Sequence, residues 1–471
     1  MHKLVLAGAA LACGPLAAQT APAKEHNAAY YAFRNTVDQK IPPDPSLPHF
    51  QLSHSYPARN PGTCKECTWL QLNVDFTVQF PPQVSPSRWH DGHWDEYLNR
   101  ILQYVKQGQD PNLKNDVGFR TTVDGKTRWF NVPWMAYDPT AGREFIHGTT
   151  NERTAHLSNL INGRNRPVRG VNFLPLMSQG CEAEWPHGFE TWAVGFYNEW
   201  GGYAVGKAFP ATGEPHITSY QGSRMPDGLP FPEGTVVVKV LTTNAPVSCV
   251  SYLKNSPEWQ IHRHAVDPKT KDYLCRREVQ ISRVVQVDVA VVDPRSPTRW
   301  VYGTFGYDAD LPGDTFWDHL LPLGVQWGSD PWTFPAVPQQ NGLPPQQTVL
   351  NPQINIFEHF GCERRLAGPV DNPQSSCMSC HGSAYAAPGG AVSTMGLNVP
   401  PSFGFDGMCV QYSLDNAAYF QNQQPPQHFP GGRFPDAYSL DTSLQLEVAF
   451  TQYGYFHTQH APEACKDPNQ F

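Results

Sequence analysis

The sequence has few charged residues and no excess of positive ones. Asp, Glu, Lys and Arg make up 16% of the 471 residues, against about 25% in an average soluble protein. The formal net charge is −8 at pH 7. A protein that binds nucleic acid needs a basic patch or stripe to contact the phosphate backbone. The charge balance therefore argues against a nucleic-acid partner.

Long hydrophobic runs and low-complexity tracts are missing too. After residue 20, no stretch approaches the roughly 18 consecutive apolar residues that span a membrane, so we expect no transmembrane segment. The 46 prolines and 38 glycines stay below the share typical of low-complexity chains. No phosphate-binding loop, dinucleotide fingerprint or nucleophile elbow stands out. With 13 Trp, 19 Tyr and 25 Phe, the chain is predicted to be folded and rich in loops.

Residues 1–20 are typical of a secretory signal peptide. Lys3 precedes an apolar stretch over 4–12, and small residues follow through Ala18. We therefore expect cleavage near Ala18 and a bacterial protein that is periplasmic or secreted. Residues 10–13, with the sequence Ala-Leu-Ala-Cys, resemble a lipid-attachment box, so a lipid-anchored form is the alternative.

Eleven cysteines are present, and ten of them follow the predicted signal peptide. Two belong to the segment Cys377-Met378-Ser379-Cys380-His381. C-x-x-C-H is the attachment pattern of c-type haem, in which the thiols bond to the haem vinyl groups and the histidine ligates the iron. The motif predicts one covalently attached haem, with Cys377 and Cys380 as its attachment points and His381 as an axial ligand of the iron.

Two other interpretations of this motif stay open. Cys377 and Cys380 could form a local disulfide beside an uninvolved His381. A zinc site would need further ligands, which the segment Cys64-Lys65-Glu66-Cys67 could offer, although no histidine stands beside it. We expect Cys64 and Cys67 to be disulfide partners, to each other or elsewhere. Outside the haem motif, eight cysteines allow four disulfides: 64, 67, 181, 249, 275, 362, 409 and 465.

Periodicity predicts a mainly β protein with a few helices. Apolar and polar residues alternate over 70–80, which is typical of a half-buried strand. Over 94–105 the apolar residues recur at helical spacing, with Asp91 as the expected cap and Gly108 as the stop.

The rest of the chain is dominated by β-rich and turn-rich segments. Two runs of β-branched residues, 235–241 and 284–292, predict strands. Residues 24–62 are expected to form an irregular arm. Stretches rich in Pro and Gly at 329–352 and 386–404 are expected to be loops.

Four segments carry a family resemblance. They are Phe231–Lys239, Trp300–Gly306, Cys377–His381 and Phe450–Tyr453. In this order they resemble the motifs of the lysine-cross-linked, hydroxylamine-oxidising monohaem cytochromes and of their nitric-oxide-binding relatives, the cytochromes c′-beta. The resemblance spans about half of the chain.

This resemblance implies an antiparallel sheet that carries a covalent haem on one face and leaves the distal side of the iron open. In the cross-linking members, the lysine at the end of the first segment bonds to a haem meso carbon, and that position is Lys239 here. The domain division that follows is a β-rich haem-binding domain over 226–471. Residues 24–225 would form an N-terminal domain of unassigned role.

Two functions are compatible with these features. The first is a haem redox enzyme that acts on a small nitrogen or oxygen species such as hydroxylamine, nitric oxide or peroxide. The second is a non-enzymatic electron-transfer or structural cytochrome with a six-coordinate haem. Met395 would then be the sixth ligand, with Met378 and Met408 as other candidates. The expected partner is accordingly a small-molecule substrate or a redox protein.

Overall fold

A computed structural model of the chain covers the residues from 44 to 458 with gaps. It describes residues 44–79, 85–113, 118–133, 145–146, 149–151, 181, 189–212, 215–220, 223–270, 273–328, 346–353, 365–371, 377–382, 384–386 and 438–458. The predicted signal peptide, Met395 and Met408 lie outside these ranges, as does nearly all of the predicted loop 386–404.

The described part of the chain is mostly β, with few helices, as the sequence predicted. The strands are β1 Thr122–Val123, β2 Lys126–Thr127, β3 Phe145–Ile146, β4 Thr149–Asn151, β5 Thr191–Tyr197, β6 Ile217–Tyr220, β7 Ser223–Pro226, β8 Val236–Thr243, β9 Glu258–Val266, β10 Tyr273–Val292, β11 Trp300–Tyr307, β12 Leu320–Gln326, β13 Thr348–Leu350, β14 Tyr385–Ala386 and β15 Tyr438–Ser439. The α-helices are α1 Arg88–Asp91, α2 Trp94–Lys106, α3 Glu199–Ala208, α4 Cys377–His381 and α5 Leu444–Thr458. Short 3-10 helices occupy Thr68–Gln71, Ser251–Leu253 and Phe316–His319.

One antiparallel sheet of nine strands organises the molecule. Its order is β13-β12-β11-β10-β8-β5-β4-β3, and β9 pairs with the first half of β10. The second half of β10 lies between β8 and β11. The two predicted runs of β-branched residues are therefore neighbours at the centre of the sheet, as β8 and β10. Three separate two-stranded sheets are formed by β1–β2, β6–β7 and β14–β15.

The two faces of the sheet are covered by different parts of the chain. On the first face, which we call the helix face, Val236, Val238 and Val240 pack in the same core as α2. A Cβ on Gly303 of β11 would lie 2.3 Å from Leu98 of α2, so this glycine permits the close approach of helix and sheet. On the opposite face, which we call the motif face, side chains of the sheet pack in one cluster with α4 and α5.

The predicted helix over 94–105 is confirmed as α2, whose apolar residues are buried against the helix face. Its start differs from the expectation. Asp91 is the last residue of the short helix α1, and His93, in a left-handed conformation at φ 58°, is the residue that precedes α2. The turn between the two helices therefore takes the place of the expected cap.

The predicted strand over 70–80 is wrong, although its pattern of burial is right. Leu72 and Val74 are buried and their polar neighbours are exposed or partly exposed, but the segment joins no sheet ladder beyond one bridge from Gln79 to Gln346. Arginine side chains satisfy its carbonyl groups instead. Arg88 donates to the carbonyls of Asp75 and Thr77, and Arg295 donates to that of Leu72.

The other predictions for connecting segments have mixed outcomes. Residues 44–62, the described part of the expected arm, contain no helix or strand, although Phe50 is buried. The expected loop 329–352 includes strand β13 at one edge of the sheet.

The predicted domain boundary between 225 and 226 stays a prediction, and the paired strands β5 and β8 lie on opposite sides of it in the sequence. None of the helices in the described ranges is long and apolar enough to cross a membrane.

Candidate functional site

The C-x-x-C-H motif forms a helix of its own on the motif face. Helix α4 runs from Cys377 to His381. The backbone N–H of Cys377 donates to the side-chain oxygen of Gln326 on β12, at 2.5 Å. Met378 is fully buried and packs in the cluster of that face. The motif is therefore anchored to the sheet at its first two residues.

His381 is held in the orientation that a metal-ligating histidine needs. Its Nδ1 donates to the backbone carbonyl of Thr442 at 2.8 Å, and the ring of Tyr302 lies 4.8 Å away, centroid to centroid. Because a carbonyl can only accept, the proton of a neutral imidazole is on Nδ1 and the lone pair is on Nε2. A hydrogen bond from the second ring nitrogen to a carbonyl is the usual support of a metal-bound histidine.

The carbonyl that receives this bond is presented by a turn between β15 and α5. Asp441 and Thr442 adopt left-handed conformations with φ values of 48° and 69°. The Asp441 carboxylate accepts from the backbone N–H of Phe231 at 2.7 Å and pairs with Arg299 at 3.5 Å. The turn is thus tied to the segment that leads into β8.

The cysteines of the motif differ from the other described cysteines. Cys64 and Cys67 are joined in a disulfide with a Cα–Cα distance of 5.4 Å, and Cys181 is joined to Cys249. Neither Cys377 nor Cys380 takes part in a disulfide. The Cys64–Cys67 bond also removes the second thiolate pair that the zinc interpretation requires.

The thiol of Cys377 lies in surroundings that keep it protonated. Burial raises its pKa well above the usual range, and the carboxylates of Asp371 and Asp288 raise it further. Reactive cysteines of the thiol–disulfide enzymes have the opposite property, a lowered pKa. An unpaired, protonated thiol at this position fits a site of covalent attachment better than a catalytic thiolate.

The strand register places two parallel rows of side chains across the motif face. Directly opposed residues of antiparallel strands point to the same face. The first row, which we call the contact row, consists of Gln326, Tyr302, Ala290, Val237 and Tyr197. The second, which we call the polar row, consists of Gly324, Thr304, Asp288, Lys239 and Gly195. The rows are two residues apart along each strand, or about 7 Å.

The contact row meets the motif, because Gln326 binds Cys377 and Tyr302 packs on His381. Lys239 is in the neighbouring row on the same face and is partly buried. The structure therefore brings Lys239 and the C-x-x-C-H motif to one face of the central sheet. Their positions are separated by more than a hundred residues in the sequence.

Lys239 lies opposite Asp288, whose carboxyl group is linked to that of Asp371. Thr304 donates to the carboxylate of Asp288 at 2.8 Å, and the amide of Gln286 bridges Asp288 and Asp371 at 2.8 and 3.1 Å. Burial and the neighbouring Asp371 raise the pKa of Asp288 to about 8, although Gln286, Lys239 and Thr304 act in the opposite direction. The pair can therefore hold a proton near neutral pH beside the motif.

This pair and the residues around it were not predicted from the sequence. Asp288 lies in the middle of the valine-rich segment 284–292, and a charged residue in a mostly apolar strand is the signal that could have identified it. Asp371 and Gln286 carry no comparable signal. Gln445 of α5 covers Gly195 at the end of the polar row, where a Cβ would lie only 1.7 Å from its Nε2.

The remaining candidates are placed as follows. Met395 and Met408 lie outside the described residues, and Met378 has a packing role in the cluster of the motif face. The segment Phe450–Tyr453 lies within helix α5, and Phe450 is buried. In the described ranges, no group of three or more His, Cys, Asp or Glu side chains is arranged to hold a bare metal ion.

Comparison with known proteins gives no match to a family model, a curated protein or a solved structure.

Proposed function

We propose that the chain is an exported monohaem c-type cytochrome and that it acts as a haem redox enzyme on a small nitrogen or oxygen species. Cys377 and Cys380 would bond to the haem as thioethers, and His381 would ligate its iron. A haem bound there would supply an iron that binds small ligands and exchanges electrons with them. The observation that carries the proposal is the His381–Thr442 hydrogen bond beside two cysteines that are outside any disulfide.

The chemistry of the donor set fits a c-type haem. The sequence holds two C-x-x-C segments; Cys64 and Cys67 are joined in a disulfide, and only the other segment is followed by histidine. His381 donates through Nδ1, so Nε2 is its ligating atom. A single histidine with two thiols matches covalent haem attachment and falls short of the four ligands of a structural zinc site.

The polar row favours enzymatic chemistry over electron transfer alone. Placing Lys239 and Asp288 on a covered sheet face, with Asp371 bound to the same face through Gln286, carries a desolvation cost that simple packing would avoid. Such groups cluster at functional sites, where protons are taken up or released. In the proposed reaction, the Asp288–Asp371 pair holds a proton for the substrate and Lys239 supplies positive charge. The family resemblance adds the alternative that Lys239 bonds covalently to the haem, in which case its nitrogen is part of that bond and supplies no positive charge.

The first test is haem staining after denaturing electrophoresis of protein made together with haem-attachment machinery. We expect covalent haem in the wild-type chain and its loss in the double variant Cys377→Ser/Cys380→Ser. The matched control, Cys64→Ser/Cys67→Ser, removes the other C-x-x-C pair and is expected to keep the haem. Staining that survives the first double variant would refute the proposed attachment.

The absorption spectrum of the dithionite-reduced protein separates the two functions. A broad, red-shifted high-spin spectrum is expected, because the proposed enzyme needs an open iron. Sharp α and β bands would indicate a six-coordinate iron and support the electron-transfer alternative. Lys239→Arg keeps the positive charge and removes the amine, so it is expected to change the spectrum only if Lys239 is bonded to the haem.

A further inference from the structure

The second C-x-x-C pair lies on the other side of the sheet from the haem motif. Cys67 belongs to the core of the helix face, and Cys64 packs against that core. The two are joined in a disulfide that encloses Lys65 and Glu66, both exposed. The proposed haem chemistry makes no use of this pair.

The two cysteines of this disulfide differ in solvent exposure. Cys64 is partly exposed, whereas Cys67 is 1% exposed. An incoming thiolate therefore has access to Cys64, and Cys67 is the sulfur that would leave. Rates of thiol–disulfide exchange depend on which sulfur can be reached, so this asymmetry assigns the two roles.

In the reduced state, the thiol of Cys67 could donate a hydrogen bond to the carbonyl oxygen of Gly234. Its Sγ lies 3.6 Å from the carbonyl oxygen of Gly234, close enough for an S–H donor. Gly234 has a φ of +87°, and a Cβ on it would lie 2.6 Å from the Cβ of Cys64, so glycine is required for this approach. The buried sulfur is thus accommodated in both redox states.

The other described disulfide has the opposite character. Cys181 and Cys249 are 1% and 6% exposed and lie 68 positions apart in the sequence. Closing a long loop removes much more entropy from the unfolded chain than closing a four-residue loop. Reduction of Cys64–Cys67 should therefore leave the fold intact, whereas reduction of Cys181–Cys249 should weaken it.

We propose that Cys64–Cys67 is a thiol–disulfide exchange site that accepts two electrons from a dithiol-bearing protein. A thiolate of the partner attacks Sγ of Cys64, the bond between Cys64 and Cys67 breaks, and the sulfur of Cys67 is protonated as it leaves, the proton coming from the solvent. The partner's second thiol loses its proton and attacks the mixed disulfide, and Cys64 is released and protonated. The partner ends as a disulfide, and Cys64 and Cys67 end as thiols.

A redox titration of the full chain with dithiothreitol, the probe dithiol, tests this proposal. Differential alkylation and peptide mass spectrometry report each disulfide separately, and Cys181–Cys249 is the internal control. We expect Cys64–Cys67 to be half reduced at a dithiothreitol concentration at least about tenfold lower, with an unchanged circular dichroism spectrum. Reduction of both pairs together, or reduction only with loss of structure, would overturn the proposal.

The assignment of the two sulfurs is tested with oxidised glutathione. Cys67→Ser leaves only the accessible sulfur, and Cys64→Ser leaves only the buried one. We expect glutathione to be added to Cys64 at least about tenfold faster than to Cys67, and equal rates would contradict the assignment. Neither readout involves haem, so failure here is distinguishable from failure of the proposed cytochrome function.

Discussion

Asp288 shows how a single residue in an apolar strand can mark a site. It lies opposite Lys239 on β8 and Thr304 on β11, and an amide bridges it to Asp371. A charged side chain on a covered sheet face costs free energy unless partners compensate it. Here the partners compensate in part, because Lys239 and Thr304 favour the ionised form and burial with Asp371 opposes it.

This balance predicts a pH dependence of stability. The pKa of Asp288 is raised to about 8 in the folded chain from an ordinary value of 3.8. The folded state therefore binds a proton more tightly, and the stability that this proton contributes is complete below pH 4 and is lost as pH rises toward 8. Asp288→Asn keeps the shape without the charge, so we expect it to be more stable than wild type at pH 8, on the order of 1 kcal/mol or more.

Urea unfolding of the full chain between pH 4 and pH 9 measures this effect. The wild-type free energy of unfolding should fall with pH over part of that range, and the fall should be smaller in Asp288→Asn. Parallel curves for the two proteins would show that the carboxyl group of Asp288 has an ordinary pKa.

Among the elements, the segment over 72–79 has the alternation of a strand without its partner. A strand is defined by hydrogen bonds to a neighbour, and the alternation of apolar residues reports only which side chains are covered. Arg88 and Arg295 take the place of the neighbour by donating to the carbonyls of this segment. Arg88 is 4% exposed and also pairs with Asp75 at 3.3 Å.

Arg88 should therefore contribute much more than an ordinary surface arginine. Arg88→Met keeps the length of the side chain but leaves two carbonyls and a carboxylate without their donor. We expect a loss of about 2–4 kcal/mol in the free energy of unfolding, measured by urea denaturation.

The control is Arg283→Met, which removes a cross-strand ion pair with Glu258 whose carboxylate is 48% exposed. It should cost less than about 1 kcal/mol. Equal losses in the free energy of unfolding for the two variants would mean that the bonds from Arg88 to the backbone stabilise the fold no more than an exposed ion pair does.

At the scale of the whole molecule, the central sheet joins sequence from both sides of the predicted domain boundary. Strand β5 pairs with β8 over seven residues, and the core of the helix face includes residues from Phe50 to Val370. Cutting the chain at 225 would expose the edge of β8 and remove α2 from that core. Exposed strand edges of this length are sites of aggregation.

We therefore expect the fragment 226–471, made alone, to lack a cooperative unfolding transition and to aggregate. Near-ultraviolet circular dichroism and a urea titration, with the full chain as the control, measure this. A soluble fragment that unfolds cooperatively would establish residues 226–471 as an independent domain.

Several features were determined by the sequence itself. The C-x-x-C-H motif names the proposed haem-binding residues, because this chemistry depends on residue types at a fixed local spacing. The runs of β-branched residues in β8 and β10 and the helical spacing in α2 predicted those elements, because each is a local pattern. For the same reason, the irregular character of residues 44–62 was correctly predicted.

Tertiary structure decided which of these residues and segments lie close together in space. A period of two shows that a strand has two faces, but strand order and register decide what lies opposite each residue and which face is covered. Lys239 thus comes to lie beside Asp288, and the carbonyl of Thr442 reaches His381 across 61 positions of sequence. Tertiary structure also decided that Cys181 pairs with Cys249 and that Arg88 and Arg295 donate to the carbonyls of the segment 72–79. These contacts join distant parts of the chain, and no local pattern of residues encodes them.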